Sequence, residues 1–179
     1  MPARVAGMAS GGRARLPGRM ESIWSVATTA AGIGCGLVGG VFFAFSTFVL
    51  AALRRLPARD GIAAMQSVNV AAVRPGFLLA LFGTAVLCAA QALRAVVPAG
   101  DEPAGEGQAG SVLGALLYLL GAVGVTAAVN VPLNERLAGV AADSPAAAAL
   151  WPSYLSLWGR ANHARTASCL AAAALLLRS

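Results

Sequence analysis

The chain has 179 residues, of which 58% are hydrophobic and 11% are charged, with a formal net charge of +6. Ordinary soluble domains carry roughly 25% charged residues, so the composition excludes a typical soluble domain and leaves room for one compact membrane domain. The basic balance does not indicate nucleic-acid binding, because the arginines stand singly or in pairs at the ends of apolar runs, where membrane helices carry their flanking charges.

Residues 1–20 are expected to be a disordered leader, since residues 1–19 are rich in Arg, Gly and Pro and show no periodicity. Met20 offers an alternative start, in which case the leader is not translated. The apolar run that follows is much longer than the core of a signal peptide, about 7–15 residues. We therefore interpret it as an uncleaved first helix that opens a membrane domain over residues 21–179.

Apolar segments predict an all-α fold, a transmembrane four-helix bundle. A helix needs about 20 mostly apolar residues to cross a hydrocarbon layer about 30 Å thick. The predicted spans are roughly residues 23–53, 75–95, 111–133 and 157–178. The fourth apolar run, Thr166–Leu177, is too short alone and needs the residues before it. The acidic, Gly- and Pro-containing segment 98–110 is expected to be a flexible linker.

Glycines in the first helix indicate close helix packing. Gly32, Gly36 and Gly40 lie four residues apart, and small residues at that spacing let another helix approach closely in a membrane. The neighbour can be a helix of the same chain or of a second copy, so a homo-oligomer through these glycines stays open.

Between the first two spans, Pro57 can begin a short helix that places Ile62, Met65 and Val68 on one side. This pattern is typical of an amphipathic helix at the membrane interface. Cys35, Cys88 and Cys169 lie in predicted spans without metal-ligand spacing, and the chain has one His. We therefore expect no metal site and interpret the cysteines as small apolar fillers.

Four crossings bring most polar side chains of the spans to one end of the bundle, which we call the site face. The candidate residues are Phe42, Phe45, Asn69, Arg74, Asn130, Asn134, Trp158, Asn162, His163 and Arg165. Arg165 can extend to the surface, as arginines near helix ends do, or point inward. Asn162 and His163 are too short to reach the surface and need partners inside the bundle. Trp151, Tyr154 and Trp158 are most simply an interfacial aromatic belt.

Three segments carry a joint pattern: residues 39–77, which begin GGVFFAFSTF, NVPLNERL at 130–137 and WGRANHARTASCLAA at 158–172. Together they resemble the anthrone-oxygenase-like family of small membrane proteins, most bacterial members of which are a domain of unknown function. The chain departs from the usual pattern at Ala51, where members usually carry Pro, and at Arg74, where they often carry Asn. The resemblance runs from the first helix to the C-terminus and implies oxidation of a flat aromatic or polyketide-like substrate by oxygen, without a cofactor.

Anthrone oxidation begins with the loss of an acidic C–H proton, and the resulting carbanion can react with oxygen without a metal. On this resemblance we expect His163 to act as the base, Arg165 to stabilise the enolate-like oxygen and Asn162 or Asn130 to orient it. Substrate contacts are expected from Phe42, Phe45, Asn69, Arg74, Asn130, Asn134 and Trp158.

Two other functions stay open. A membrane assembly or structural protein without chemistry is favoured by the glycine spacing. A small-molecule carrier is disfavoured because the apolar segments contain no carboxylate. With residues 1–19 set aside, more arginines flank the site face than the other end, so the positive-inside rule predicts a multi-pass protein of the cell membrane with a cytoplasmic site face.

Overall fold

A computed structural model describes residues 16–96 and 106–179 of the chain. These residues form helices and short turns, and none of them is in a strand, which confirms the all-α class. In chain order the elements are α1 (Leu16–Ala44), the π-helix π1 (Phe45–Val49), α2 (Leu50–Leu53), α3 (Ala58–Ala72), α4 (Pro75–Val96), α5 (Glu106–Leu116), the π-helices π2 (Leu117–Gly124) and π3 (Thr126–Asn130), α6 (Val131–Ala138) and α7 (Pro145–Leu176).

Two helices begin earlier than the sequence predicts. α1 starts at Leu16 rather than near residue 23, and α5 starts at Glu106, inside the segment expected to be a linker. Pro17 does not prevent the early start of α1, because the first turn of a helix has no backbone donor to lose. The rest of the predicted leader and linker, residues 1–15 and 97–105, lies outside the described residues.

Three helical segments are long and apolar enough to cross a membrane: Gly18–Leu53, Pro75–Arg94 and Gly107–Ala138. Their outer surfaces carry large apolar side chains, for example Leu79 at 72% exposure and Leu120 at 69%. A continuous apolar surface of this kind is unfavourable in water and suits a hydrocarbon environment. The three segments therefore indicate a membrane protein.

The long helices pack side by side around a core of small side chains. α7 contacts α1, α5 and π2, and α4 contacts α1 and α5. Cys35, Cys88 and Cys169 are fully buried in this core, which agrees with their interpretation as apolar fillers. Tyr118 is buried beside them and its hydroxyl donates to the Leu81 carbonyl at 2.9 Å, so its polar atom is satisfied.

Glycines in α1 permit close contact with α7. A Cβ on Gly39 would lie 2.9 Å from the Cβ of Cys169, and one on Gly32 would lie 2.8 Å from a side chain at the end of the chain. Gly36 and Gly40 have nothing within 4 Å. Gly32 therefore packs within the chain, which is one of the two alternatives that the sequence leaves open. Association through Gly36 and Gly40 stays a prediction.

α3 covers the end of the bundle that contains the site face. The predicted helix is present, and Ile62 and Met65 on its apolar side are fully buried. Both belong to a second core shared with α6 and α7. Gln66 Nε2 donates to two backbone carbonyls at the end of α6, at 2.8 and 3.0 Å. The apolar side of α3 thus packs mainly on its own chain, and its place at a membrane interface stays a prediction.

The aromatic residues of α7 are inside the protein. Trp151, Tyr154 and Trp158 are 5%, 1% and 5% exposed, and the rings of Trp151 and Tyr154 stack with centroids 5.6 Å apart. The interpretation as an interfacial belt is therefore wrong. It failed because α3 and α6 cover the side of α7 that the sequence alone leaves open.

Candidate functional site

The inner side of α7 carries a line of polar and aromatic residues at steps of four and three. Trp158, Asn162 and Arg165 occupy this line and are 5%, 0% and 4% exposed. Residues at this spacing lie above one another on one side of a helix. Arg165 therefore points into the bundle, which excludes the alternative that it extends to the surface.

The guanidinium of Arg165 has only neutral partners. Its Nη1 donates to Thr126 Oγ1 at 3.1 Å and its Nη2 to Asn162 Oδ1 at 2.7 Å. Its centre lies 4.2 Å from the ring centroid of Phe42 and 5.0 Å from that of Trp158. No carboxylate pairs with it among residues 16–96 and 106–179. The site is therefore a buried positive charge between aromatic faces.

Asn162 joins α7 to the end of α1. Its Nδ2 donates to the Phe42 carbonyl at 2.7 Å and to Ser46 Oγ at 2.8 Å. The Ser46 hydroxyl in turn lies 3.1 Å from the hydroxyl of Thr166. Because both amide hydrogens are used in this way, the amide oxygen of Asn162 is held toward Arg165.

Two asparagines from the third long helical segment complete the group. Asn134 Oδ1 accepts from the Tyr154 hydroxyl and from Trp158 Nε1, both at 2.9 Å. Asn130 is 1% exposed, and with its amide oxygen turned to the nearby donors it accepts from Trp158 Nε1 and Arg165 Nη2, both at 3.3 Å. Trp158 thus connects the asparagines to the arginine. We call this connected set, together with Thr126, Ser46 and Asn162, the polar cluster.

One buried donor near the cluster has no partner. The Tyr154 hydroxyl donates to Asn134 Oδ1. Asn69 of α3 lies beside that hydroxyl. The buried amide nitrogen of Asn69 makes no hydrogen bond within the described part of the chain. An unsatisfied buried donor is unfavourable, so this nitrogen is suited to an acceptor oxygen of a ligand.

Two π-helices position the cluster. π1 contains Phe45 and Ser46, and π3 contains Thr126 and Asn130. A π turn inserts an extra residue and redirects side chains, and such turns are frequent at functional sites. Pro132, just after π3, has no N–H to donate to the carbonyl four residues earlier, which is a local reason for the helix to depart from α geometry.

Aromatic side chains lie next to the arginine, and the substrate contacts expected of Phe42, Phe45 and Trp158 stay a prediction. Phe42 is 4% exposed and meets Phe77 edge to face, with ring centroids 6.2 Å apart. The ring of Phe45 lies 5.4 Å from that of Trp158. The rings of Phe42 and Trp158 are packed directly against the guanidinium of Arg165.

The family model described as anthrone oxygenase matches residues 75–175, more than half of the chain. The chain belongs to the anthrone oxygenase family. The match contains Asn130, Asn134 and the inner side of α7, whereas the predicted resemblance over residues 39–74 lies before it. No curated protein and no solved structure matches the chain.

Two predicted site residues of this anthrone oxygenase family member lie apart from the cluster. His163 is exposed on the outer side of α7, and Arg74 is exposed between α3 and α4. Consecutive helical residues point about 100° apart, so burial of Asn162 turns His163 outward. The expectation that His163 finds partners inside the bundle is therefore wrong, whereas the substrate contact expected of Arg74 stays a prediction. The catalytic role of His163 stays a prediction that this placement does not support.

Some residues of the polar cluster are not among the candidate site residues chosen from the sequence. Thr126 contacts the arginine, and Tyr154 contacts Asn134. Spacing could have identified both. Thr126 lies four residues before Asn130, and Tyr154 lies four before Trp158, so each continues a line already recognised on its helix.

Proposed function

We propose that this member of the anthrone oxygenase family is a membrane enzyme that oxidises a flat aromatic or polyketide-like substrate with O₂ and without a cofactor. The observation that carries the proposal is the burial of Arg165 among aromatic rings and neutral oxygens, with no carboxylate beside it in the described part of the chain. A fixed positive charge in a site of low dielectric stabilises negative charge that develops on a bound ligand.

In the proposed reaction an anthrone methylene loses a proton, and the charge moves to the ring carbonyl, whose oxygen accepts from Arg165. The proton passes to solvent rather than to His163, because that imidazole faces away from the cluster. O₂ then adds to the methylene carbon. One oxygen atom of O₂ becomes the new carbonyl oxygen. The other oxygen atom leaves as water, together with the two hydrogen atoms that the methylene carbon has lost.

The remaining contacts follow from the same geometry. The amide nitrogen of Asn69, which makes no hydrogen bond among the described residues, and the amide of Asn130 can bind further oxygens of the substrate. The half-buried rings of Phe45 and Phe77, which pack against Trp158 and Phe42, can contact its rings. A flat molecule with several oxygens along one edge meets these requirements better than an aliphatic one.

We also propose that α7 is a fourth crossing, so that the domain is a four-helix bundle in the cell membrane with α3 at the interface. Arginines are concentrated at the site face, including Arg54, Arg55, Arg59, Arg74, Arg136 and Arg160. Arg19, Arg94 and Arg178 lie at the opposite end. The positive-inside rule therefore favours a cytoplasmic site face.

The test is oxidation of a model anthrone under air by the protein in membranes, followed by quinone absorbance and O₂ uptake. Arg165→Met keeps an apolar side chain of similar length and removes the charge, so we expect the rate to fall roughly 10²–10³-fold. Arg160→Met, an exposed position on the same helix, is the matched control and should keep the wild-type rate. A folded Arg165→Met protein with the wild-type rate would contradict the proposal.

The variant His163→Ala tests whether the substrate proton passes to His163 or to solvent. Loss of a general base lowers a rate by roughly 10²–10⁴-fold. Because the side chain is exposed and away from the cluster, we expect the rate of oxidation to stay unchanged. A fall of the general-base size would instead return His163 to the catalytic role that the sequence suggests.

A structural role is the second candidate, because the cluster joins π1, π3, α6 and α7 through hydrogen bonds. Interhelical hydrogen bonds of this kind stabilise membrane bundles. In that case Arg165→Met lowers the unfolding temperature, no aromatic ligand protects the wild type, and no anthrone is oxidised.

A further inference from the structure

A cavity of about 300 Å³ lies at the other end of the bundle, away from Arg165, where α4 ends and α5 begins. Its polar lining includes Glu21, Ser25, Thr29, Arg94, Gln108 and Ser111. We propose that this cavity binds a phosphoethanolamine group, with the phosphate at Arg94 and the primary ammonium at Glu21. The site is independent of the proposed oxidation.

Opposite charges line the cavity without pairing with each other. Glu21 and Arg94 are both exposed to it, and no ion pair joins them in the described part of the chain. The guanidinium of Arg94 lies 5.1 Å from the centroid of the Trp24 ring, which holds it at the rim. An anion and a cation that do not pair with each other, and that have no ion-pair partner among residues 16–96 and 106–179, are complementary to a zwitterion.

The hydroxyl groups of the lining are arranged as acceptors. Thr29 Oγ1 donates to the Ser25 carbonyl at 3.0 Å, and Ser111 Oγ donates to the Gly107 carbonyl at 3.1 Å. Each hydroxyl has a single hydrogen, so what remains available to a ligand is oxygen lone pairs. A primary ammonium has three N–H donors and suits these acceptors together with the Glu21 carboxylate.

This arrangement favours ethanolamine over choline. A quaternary ammonium has no N–H group and is usually recognised by open aromatic faces. The Trp24 ring already has Arg94 over it, so it does not offer such a face. A glycerol head group would leave Glu21 without a cationic partner.

The depth of the cavity fits a lipid head group. Arg94 ends one apolar segment and Gly107 begins the next, so the cavity lies at the boundary of the apolar surface. Trp and Arg are typical of that boundary. The same group also occurs in soluble phosphoethanolamine, and the experiment below distinguishes the two sources.

The test is binding of lipids with identical acyl chains to the full chain in detergent, by native mass spectrometry and by thermal protection. We expect phosphatidylethanolamine to bind on the order of tenfold more tightly than phosphatidylcholine or phosphatidylglycerol, because it alone gains the charged hydrogen bonds. Soluble phosphoethanolamine forms a separate arm. Weaker protection by it assigns the site to the lipid, and equal protection assigns it to the free compound.

Glu21→Gln and Ser111→Ala should each reduce the preference for phosphatidylethanolamine over phosphatidylcholine, and Arg94→Gln should weaken both lipids. Arg160→Gln, at the site face, is the control and should change none of these affinities. Equal binding of the three lipids by the wild type, or a preference that survives in Glu21→Gln, would overturn the proposal.

Discussion

Arg165 and its neighbours show how single side chains decide what this protein can do. A buried charge is unfavourable by several kcal/mol unless nearby groups compensate for it. Thr126 and Asn162 supply oxygens and Phe42 supplies a ring face, but none of them carries a negative charge. These groups therefore compensate the buried positive charge of Arg165 only in part. A ligand oxygen that carries negative charge can provide the rest.

Asn162→Ala should destabilise the protein, because it removes the acceptor of Arg165 and the donor to Phe42 and Ser46 together. We expect the free energy of unfolding in detergent to fall by about 2–4 kcal/mol, since buried partners are left unsatisfied. His163→Ala, one residue away but exposed, should change it by less than about 0.5 kcal/mol. Equal losses in the two variants would mean that the hydrogen bonds of Asn162 do not stabilise the bundle.

At the scale of elements, the close contact of α1 with α7 depends on which glycines face inward. Gly39 is buried against Cys169, whereas Gly36 and Gly40 on the same helix have open space around them. The π-helices also contact α7. π1 continues α1 toward the cluster, and π3 packs against α7. Helix packing and site geometry are therefore coupled.

Gly39→Ala should lower the unfolding temperature, because the added Cβ would lie 2.9 Å from the Cβ of Cys169 and the helices would have to separate. Overpacking of this kind typically costs about 1–3 kcal/mol. Gly36→Ala has no neighbour within 4 Å and should be neutral or stabilising by up to about 1 kcal/mol. Thermal unfolding of both variants checks the prediction, and a stable Gly39→Ala protein would contradict the close α1–α7 contact.

The whole molecule has two different polar ends joined by an apolar middle. The site face contains the polar cluster beneath α3, and the other end contains the cavity with Glu21 and Arg94. If both ends lie at the surfaces of one bilayer, the chain must cross it an even number of times between Glu21 and Ser179, because both of these residues line the same cavity.

Labelling with a membrane-impermeant maleimide should reveal this topology. The native cysteines are 0% exposed and should not react in the folded protein, so single cysteines can be introduced without removing them. For a cytoplasmic site face, we expect Glu21→Cys and Ser179→Cys to react from outside intact cells and Asp143→Cys only in inverted vesicles. Reaction of Asp143→Cys and Ser179→Cys from the same side would show that α7 does not cross.

The amino-acid sequence by itself determined the helical class, the membrane-length segments and the family, because apolar run length and the motifs around Asn130 and Asn162 are local properties of the chain. It also placed Arg165 among the candidate residues through helical spacing along α7, and Phe42 through its position at the end of the first span. Only the tertiary structure decided which way each side chain faces. His163 and Asn162 are adjacent in sequence, yet contact of α7 with α1 and π3 buries one and leaves the other outside, because the rotation of a helix about its axis is set by the surfaces packed against it.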